Sequence, residues 1–245
     1  MKNIIETKNI SISFGGIKAV QNLSFEIHEG EILGLVGSNS SGKSTVVNLI
    51  SGAYTLDSGT IIFDEKEILN KMGVAVRAKL GMGRTFQTPQ PFSALTVHEN
   101  VYTIALQTCS KAAAHKKTEE ILKETKLEGF ADMQSSKLPI EKRKWLDLAR
   151  ILANDPKFIM LDEVMARLNP SEMEESLEVI VDINKNLGVT FLFIEHVMKA
   201  IIKICSRCIV INEGKFLAQG VPEEVLVRKD VISAYIGGMS RCCCH

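Results

Sequence analysis

"GSNSSGKST", residues Gly37 to Thr45, follows the apolar run "EILGLV" and leads into "VVNLISG". Gly37, Gly42, Lys43 and Ser44 satisfy G-x-x-x-x-G-K-[ST], a spacing with a physical mechanism behind it. Glycines let the backbone turn tightly between a strand and a helix, so that its N–H groups wrap an anion. The lysine can reach the outer phosphates of a nucleotide, and the adjacent serine hydroxyl can ligate Mg2+. The flanks fit the two elements required. "EILGLVG" is mostly apolar, as in a strand covered on both faces. Val46, Val47, Leu49 and Ile50 recur at helical spacing, and Gly52 supplies a C-terminal cap. The nine residues Gly37, Ser38, Asn39, Ser40, Ser41, Gly42, Lys43, Ser44 and Thr45 are therefore predicted to bind nucleotide phosphate.

Two further apolar runs end in polar groups. "PKFIMLDE" reads as a buried strand after Pro156 and finishes in Asp162 and Glu163. Ligands of α/β sheets bind at the carboxyl ends of strands, where Asp162 would hold Mg2+ and Glu163 would polarise an attacking water. "VTFLFIEH" is a third buried strand, and His196 at its end would touch the terminal phosphate. Between these runs the pattern is helical. Thr96 and Glu99 stand at capping-box spacing, and "HKKTEEILKETK" and "EKRKWLDLARILAND" carry glutamates and lysines on their polar faces. Asn169, Pro170 and Glu172 open a helix that Gly188 closes. "IIETKNISISF", "AVQNLSFEIHEG" and "DSGTIIFDEKEI" read as strands and hairpins, "CIVINEGKFLAQG" as a hairpin around Glu213-Gly214, and "PEEVLVRKDVISAYIGG" as short terminal helices. Buried strands alternating with helices predict a parallel α/β sheet, interrupted by a helical insert over about residues 88–155.

Composition narrows the classes. The 245 residues are 45% hydrophobic and 24% charged, as in a globular protein with a sizeable core. Lys+Arg 29 balances Asp+Glu 29, which argues against bulk electrostatic binding to nucleic acid or anionic lipid. The start "MKNIIETKNI" lacks the apolar core of a signal peptide, and no apolar run is long enough to span a bilayer. An intracellular chain is expected, able to sit on a membrane protein. Of six cysteines, Cys205 and Cys208 read as buried thiols at a helix-to-strand junction rather than half of a zinc site. Cys242, Cys243, Cys244 and His245 form a tail, residues 241–245, expected to be disordered.

In their order, "GSNSSGKST", "RTFQTPQPFSALTVHENV", "LPIEKRKWLDLARIL", "FIMLDEVMARLNP" and "FLFIEHVM" resemble the ATP-binding subunits of ABC transporters over nearly the whole chain. "SFGGIKAVQNLSFEIHEGEI", "RTFQ" and "VISAYIGG" are most similar to the importer branch for branched-chain amino acids and related amides. The resemblance implies a P-loop NTPase fold with a mainly parallel sheet, an N-terminal antiparallel β subdomain and an inserted helical subdomain, all within residues 1–240. It implies an ATPase at the cytoplasmic face of the membrane, using ATP and Mg2+. Its partners would be a second ATP-binding subunit, membrane permease subunits and, indirectly, a solute-binding protein, with no nucleic acid. By matching position, Gln87 would approach Mg2+ and the lytic water, Phe14 would stack on adenine with Val20 nearby, and His196 would sense the γ-phosphate.

The chain departs from that pattern in places. The usual signature L-S-G-G-Q aligns with Leu138, Pro139, Ile140, Glu141 and Lys142, so the serine and both glycines are missing where Pro139, Ile140 and Glu141 would meet the partner's nucleotide. Lys142, Arg143 and Lys144 are available to offset the charge of Glu141. Val164 stands where proline follows the acidic pair, and Arg167 and Asn169 where glycine and aspartate are usual. Ser40 replaces a common glycine, at a strain of ~1–2 kcal/mol if its φ is positive. Two other readings remain open on the sequence: a soluble ATPase of the same type, and a regulatory nucleotide-binding subunit that hydrolyses little. A small-molecule kinase has no use for the Gln87, signature and His196 series.

Overall fold

A computed structural model describes residues 1–86, 88–166 and 168–240, side chains 236–240 excepted. The alternating start of the chain forms an antiparallel hairpin of β1 (Asn3–Phe14) and β2 (Ile17–His28). Next come the apolar β3 (Ile32–Val36) and, after the phosphate loop, α1 (Lys43–Ser51), which Gly52 ends in a left-handed conformation. β4 (Ser58–Phe63) pairs with β1, and β5 (Glu67–Ile68) pairs with β4. The result is a four-stranded antiparallel sheet in the order β2-β1-β4-β5.

The chain continues through α2 (Val74–Lys79), β6 (Met82–Arg84), α3 (Val97–Ala105), α4 (Lys111–Glu124) and α5 (Ile140–Leu152). It then forms β7 (Phe158–Asp162), α6 (Pro170–Leu187), β8 (Thr190–Ile194) and α7 (Met198–Ile204). The last elements are the hairpin β9 (Arg207–Asn212) and β10 (Lys215–Gly220), then α8 (Pro222–Val225) and α9 (Lys229–Ser240). The expected capping box of Thr96 with Glu99 forms, and Asn169, expected as a cap, makes a capping box with Glu172. The second sheet runs β10-β9-β3-β8-β7-β6, parallel except at β10. β6 is a three-residue strand with no apolar run of its own, and only its pairing with β7 makes it one.

Side chains alternate across a strand, and here they feed two cores. Leu33, Leu35, Phe158, Met160, Leu192 and Ile194 pack with α1 and the antiparallel sheet. Ile159, Leu161, Phe191, Phe193 and Val210 face the opposite way, into a core that includes α3, α5 and α6. With apolar partners on both faces, every residue of β3, β7 and β8 is buried. Each large apolar side chain withdrawn in this way contributes about 1.5–3 kcal/mol.

Register places the site. Asp162 pairs with Ile194 and Leu35 also pairs with Ile194, so β3, β7 and β8 end level with one another. The residues that follow, beginning with Gly37, Glu163 and Glu195-His196, therefore leave the sheet at one edge.

Candidate functional site

The loop after β3 is shaped by contacts that leave no room for side chains. A Cβ on Gly37 would stand 2.4 Å from both the Ile211 carbonyl and Ser41 Oγ. Gly42 has φ 104°, and a Cβ there would meet the Ala19 carbonyl at 2.8 Å. Ser40 has φ 68°, so the anticipated strain of ~1–2 kcal/mol is present in the loop. Backbone bonds tie the loop to its surroundings: Gly214 N–H donates to Ser41 O at 2.9 Å, and Gln21 N–H to Gly214 O at 2.8 Å. The β9–β10 turn thus braces the phosphate loop, and β2 in turn holds that turn.

Lys43 folds back over this loop and donates from Nζ to Gly37 O at 2.8 Å and Ser38 O at 3.0 Å. Burial pushes its ammonium below the ordinary lysine value, while the Glu163 and Asp162 carboxylates oppose the shift. α1 starts without a side-chain cap. Its first N–H groups and the positive end of its dipole are therefore suited to an anion. Asn39, Ser40, Ser41, Gly42, Lys43, Ser44, Thr45 and Glu163 line one cavity of about 530 Å³.

On the strand side, Asp162 is buried and accepts from Arg84 Nη2 at 3.0 Å, while its N–H donates to Thr85 Oγ1 at 3.2 Å. Arg84 also donates to Asn48 Oδ1 at 2.6 Å, so one guanidinium joins β6, β7 and α1. Asp162 and Ser44 share a second cavity, of about 760 Å³. These are hard oxygen donors, one carboxylate and one hydroxyl, and Mg2+ takes few protein ligands alongside phosphate and water oxygens. The donor set fits that ion. Glu163 adopts φ 51° and its N–H donates to Ile194 O at 3.0 Å. His196 is half exposed, with Nδ1 3.9 Å from Glu163 Oε1.

Other expected residues lie further out. Phe14 is 45% exposed and packs edge-on against Tyr54 at 5.2 Å, outside the cavity lining. Its strand partner Ile17 does line the cavity, with Lys18 and Ala19. Val20 is buried in the core below. Gln87, Arg167 and the tail at 241–245 lie outside the described residues. Pro139 precedes α5 without a side-chain cap bond, Ile140 is 63% exposed and Glu141 half-buried. The three cations after Glu141 are engaged within the chain. Lys142 pairs with Glu175 at 3.1 Å, Arg143 donates to Leu138 O and Ser136 O, and Lys144 donates to Val164 O and Ala166 O. Cys205 and Cys208 are buried thiols, and burial raises Cys208 to about 11.

Sequence reasoning missed Arg84, Thr85 and Asn48. "GRTFQ" and the helix "VVNLIS" contain them, but only the β6–β7 pairing brings Arg84 and Thr85 to Asp162 and Arg84 to Asn48.

The chain matches the ABC transporter family over residues 20–166. It belongs to that family. The ABC family chain is 34% identical over 250 residues to the high-affinity branched-chain amino acid transport ATP-binding protein LivG of Salmonella typhimurium, covering 96% of this chain and 98% of that one. Its fold is similar to the ADP conformation of MJ1267, an ATP-binding cassette of an ABC transporter (TM-score 0.86, 29% identity, 97% and 100% covered). It is also similar to the dimeric post-hydrolysis state of the ATP-binding cassette MJ0796 bound to ADP and Pi (TM-score 0.77, 25% identity, 89% and 98% covered). This ABC chain is accordingly an ATPase of the family. Among the described residues, no helix is long and apolar enough to cross a membrane.

Proposed function

We propose that this chain is the ATP-hydrolysing subunit of an importer for branched-chain amino acids or related amides, working on the cytoplasmic face of permease subunits. One observation carries the reading: Lys43, the loop N–H groups and Glu163 converge on a single cavity at the carboxyl end of a parallel sheet. Lys43 and the start of α1 would hold the β- and γ-phosphates. Glu163, at the cavity wall, would take the proton of the attacking water, and His196 beside it would orient the γ-phosphate. Ser44 and Asp162 would hold Mg2+, which supplies charge neutralisation on the phosphates. Asp162 would then exchange its Arg84 partner for the cation. The role of Gln87 and the adenine stacking of Phe14 belong to the same proposal. Ile17 is the cavity-lining alternative to Phe14 on the same hairpin.

The substrate class rests on the similarity to LivG over 96% of the chain. The partner would be a second, non-identical ATP-binding subunit, because Pro139, Ile140 and Glu141 replace small residues that let a backbone approach phosphate. A solute-binding protein would deliver the cargo to the permease. The test is uptake of labelled leucine into proteoliposomes that carry the assembled complex. Uptake driven by internal ATP and lost in Lys43→Ala supports the reading; uptake unaffected by Lys43→Ala rejects it.

A further inference from the structure

Glu163 occupies a left-handed backbone conformation, φ 51°. Such a residue persists only where its surroundings over-determine it. The next residue is Val164, so no proline ring fixes the turn that follows. Other groups hold it instead. Met165 N–H donates to Glu195 Oε1 at 2.8 Å. Lys144, reaching across from α5, donates to Val164 O at 2.9 Å and Ala166 O at 2.7 Å.

Glu195 is 0% exposed, one residue past β8, and its Oε2 has no hydrogen-bond partner among the described residues. Burying a carboxyl with one oxygen unsatisfied is costly. An apolar side chain of similar volume would fill the space but leave the Met165 N–H unpaired.

We infer that Glu195 is a positioning residue: it pins the turn at residues 163–166 and keeps the Glu163 carboxylate aimed into the phosphate cavity. The inference rests on the reading of Glu163 as the base. Burial, aided by the Glu163 carboxylate, pushes the Glu195 carboxyl up to about 7, against the Met165 and His196 N–H groups and Lys144. Glu195→Gln keeps an acceptor for the Met165 N–H. Lys144 holds the same turn through the Val164 and Ala166 carbonyls and shares the task.

The test is steady-state ATP hydrolysis by the assembled transporter carrying Glu195→Leu, Glu195→Gln, Lys144→Met, Glu163→Gln or the Glu195→Leu/Glu163→Gln pair. Displacing a base by about 1 Å costs on the order of 10²-fold in rate, so Glu195→Leu should lower kcat by roughly 10- to 100-fold. Its KM for ATP should stay within about threefold, because ground-state binding is untouched. Glu195→Gln should recover most of the rate. The double variant should be no slower than Glu163→Gln alone, since a positioning group has nothing left to position. Should Glu195→Leu fail to assemble, Lys144→Met carries the same kcat-without-KM expectation. A wild-type kcat in Glu195→Leu, an equal loss in Glu195→Gln, or a further loss in the double variant would overturn the inference. Full turnover by Glu163→Gln would remove the base assignment itself. An inactive Glu163→Gln beside a normal Glu195→Leu would reject only the positioning role.

Discussion

The phosphate loop shows how few residues a site of this kind needs. Gly37 and Gly42 are fixed by carbonyls that would clash with any Cβ, and Ser40 adopts a positive φ between them. Lys43 already sits over the loop carbonyls, poised to exchange them for phosphate oxygens. Lys43→Ala should therefore weaken ATP binding by roughly 10- to 150-fold, the equivalent of a charged hydrogen bond worth about 1.5–3 kcal/mol. Titration calorimetry with Mg-ATP reads this directly, and unchanged affinity would count against the loop as the phosphate site. Glu163→Gln should keep ATP affinity and lose roughly 10²–10⁴ in turnover, since the amide cannot accept the proton of water. At this scale the sequence was most legible. Lys43 and Glu163 lie 120 positions apart and still line one cavity, because each ends or follows a strand whose apolar run is visible in the sequence. Arg84 was not legible in this way, since an arginine in a short polar segment carries no mark of the buried Asp162 it pairs with.

Elements were legible where a pattern is long or a cap is explicit. α6 carries both, with Asn169, Pro170 and Glu172 at its start and Gly188 at its end. β6 carries neither, being three residues made a strand by its neighbour. The carboxyl end of β8 gives a prediction in pH. Glu195 rises from an ordinary 4.5 to about 7 through burial. Between those values the folded chain holds a proton that the unfolded chain has released, so stability falls as pH rises through that window. A shift of this size is worth on the order of 3 kcal/mol. Glu195→Gln should match the wild type in urea midpoint near pH 4.5 and exceed it by pH 8. A difference independent of pH would show that the carboxyl is not taken up neutral. The segment between β6 and α3 gives another. Phe92 is 45% exposed, with the Arg150 guanidinium 4.4 Å above its ring, beside the second cavity. If this surface receives the permease, Phe92→Asp should leave ATP affinity unchanged and abolish coupling between hydrolysis and uptake. Normal transport by that variant would exclude the surface.

On the proposed reading, the molecule as a whole carries two unequal halves of an ATP site. The half it would keep brings the phosphate loop, Asp162, Glu163 and His196 together at one sheet edge. The half it would present to a partner begins α5 with Pro139, Ile140 and Glu141. There the structure sharpens what the sequence suggested. Lys142, Arg143 and Lys144 are each bonded within the chain, which leaves Glu141 with less compensation than three adjacent cations imply. Like charges ~5 Å apart at an effective dielectric of ~20 cost about 3 kcal/mol, so Glu141 opposing a γ-phosphate disfavours a symmetric pair. The central claim is that this chain works opposite a different ATP-binding subunit. Light scattering on isolated Glu163→Gln, which should bind ATP without consuming it, tests that claim most directly. With Mg-ATP the variant should remain monomeric and should dimerise when a related subunit with an intact signature is added. A tight ATP-dependent homodimer of Glu163→Gln alone would contradict the account.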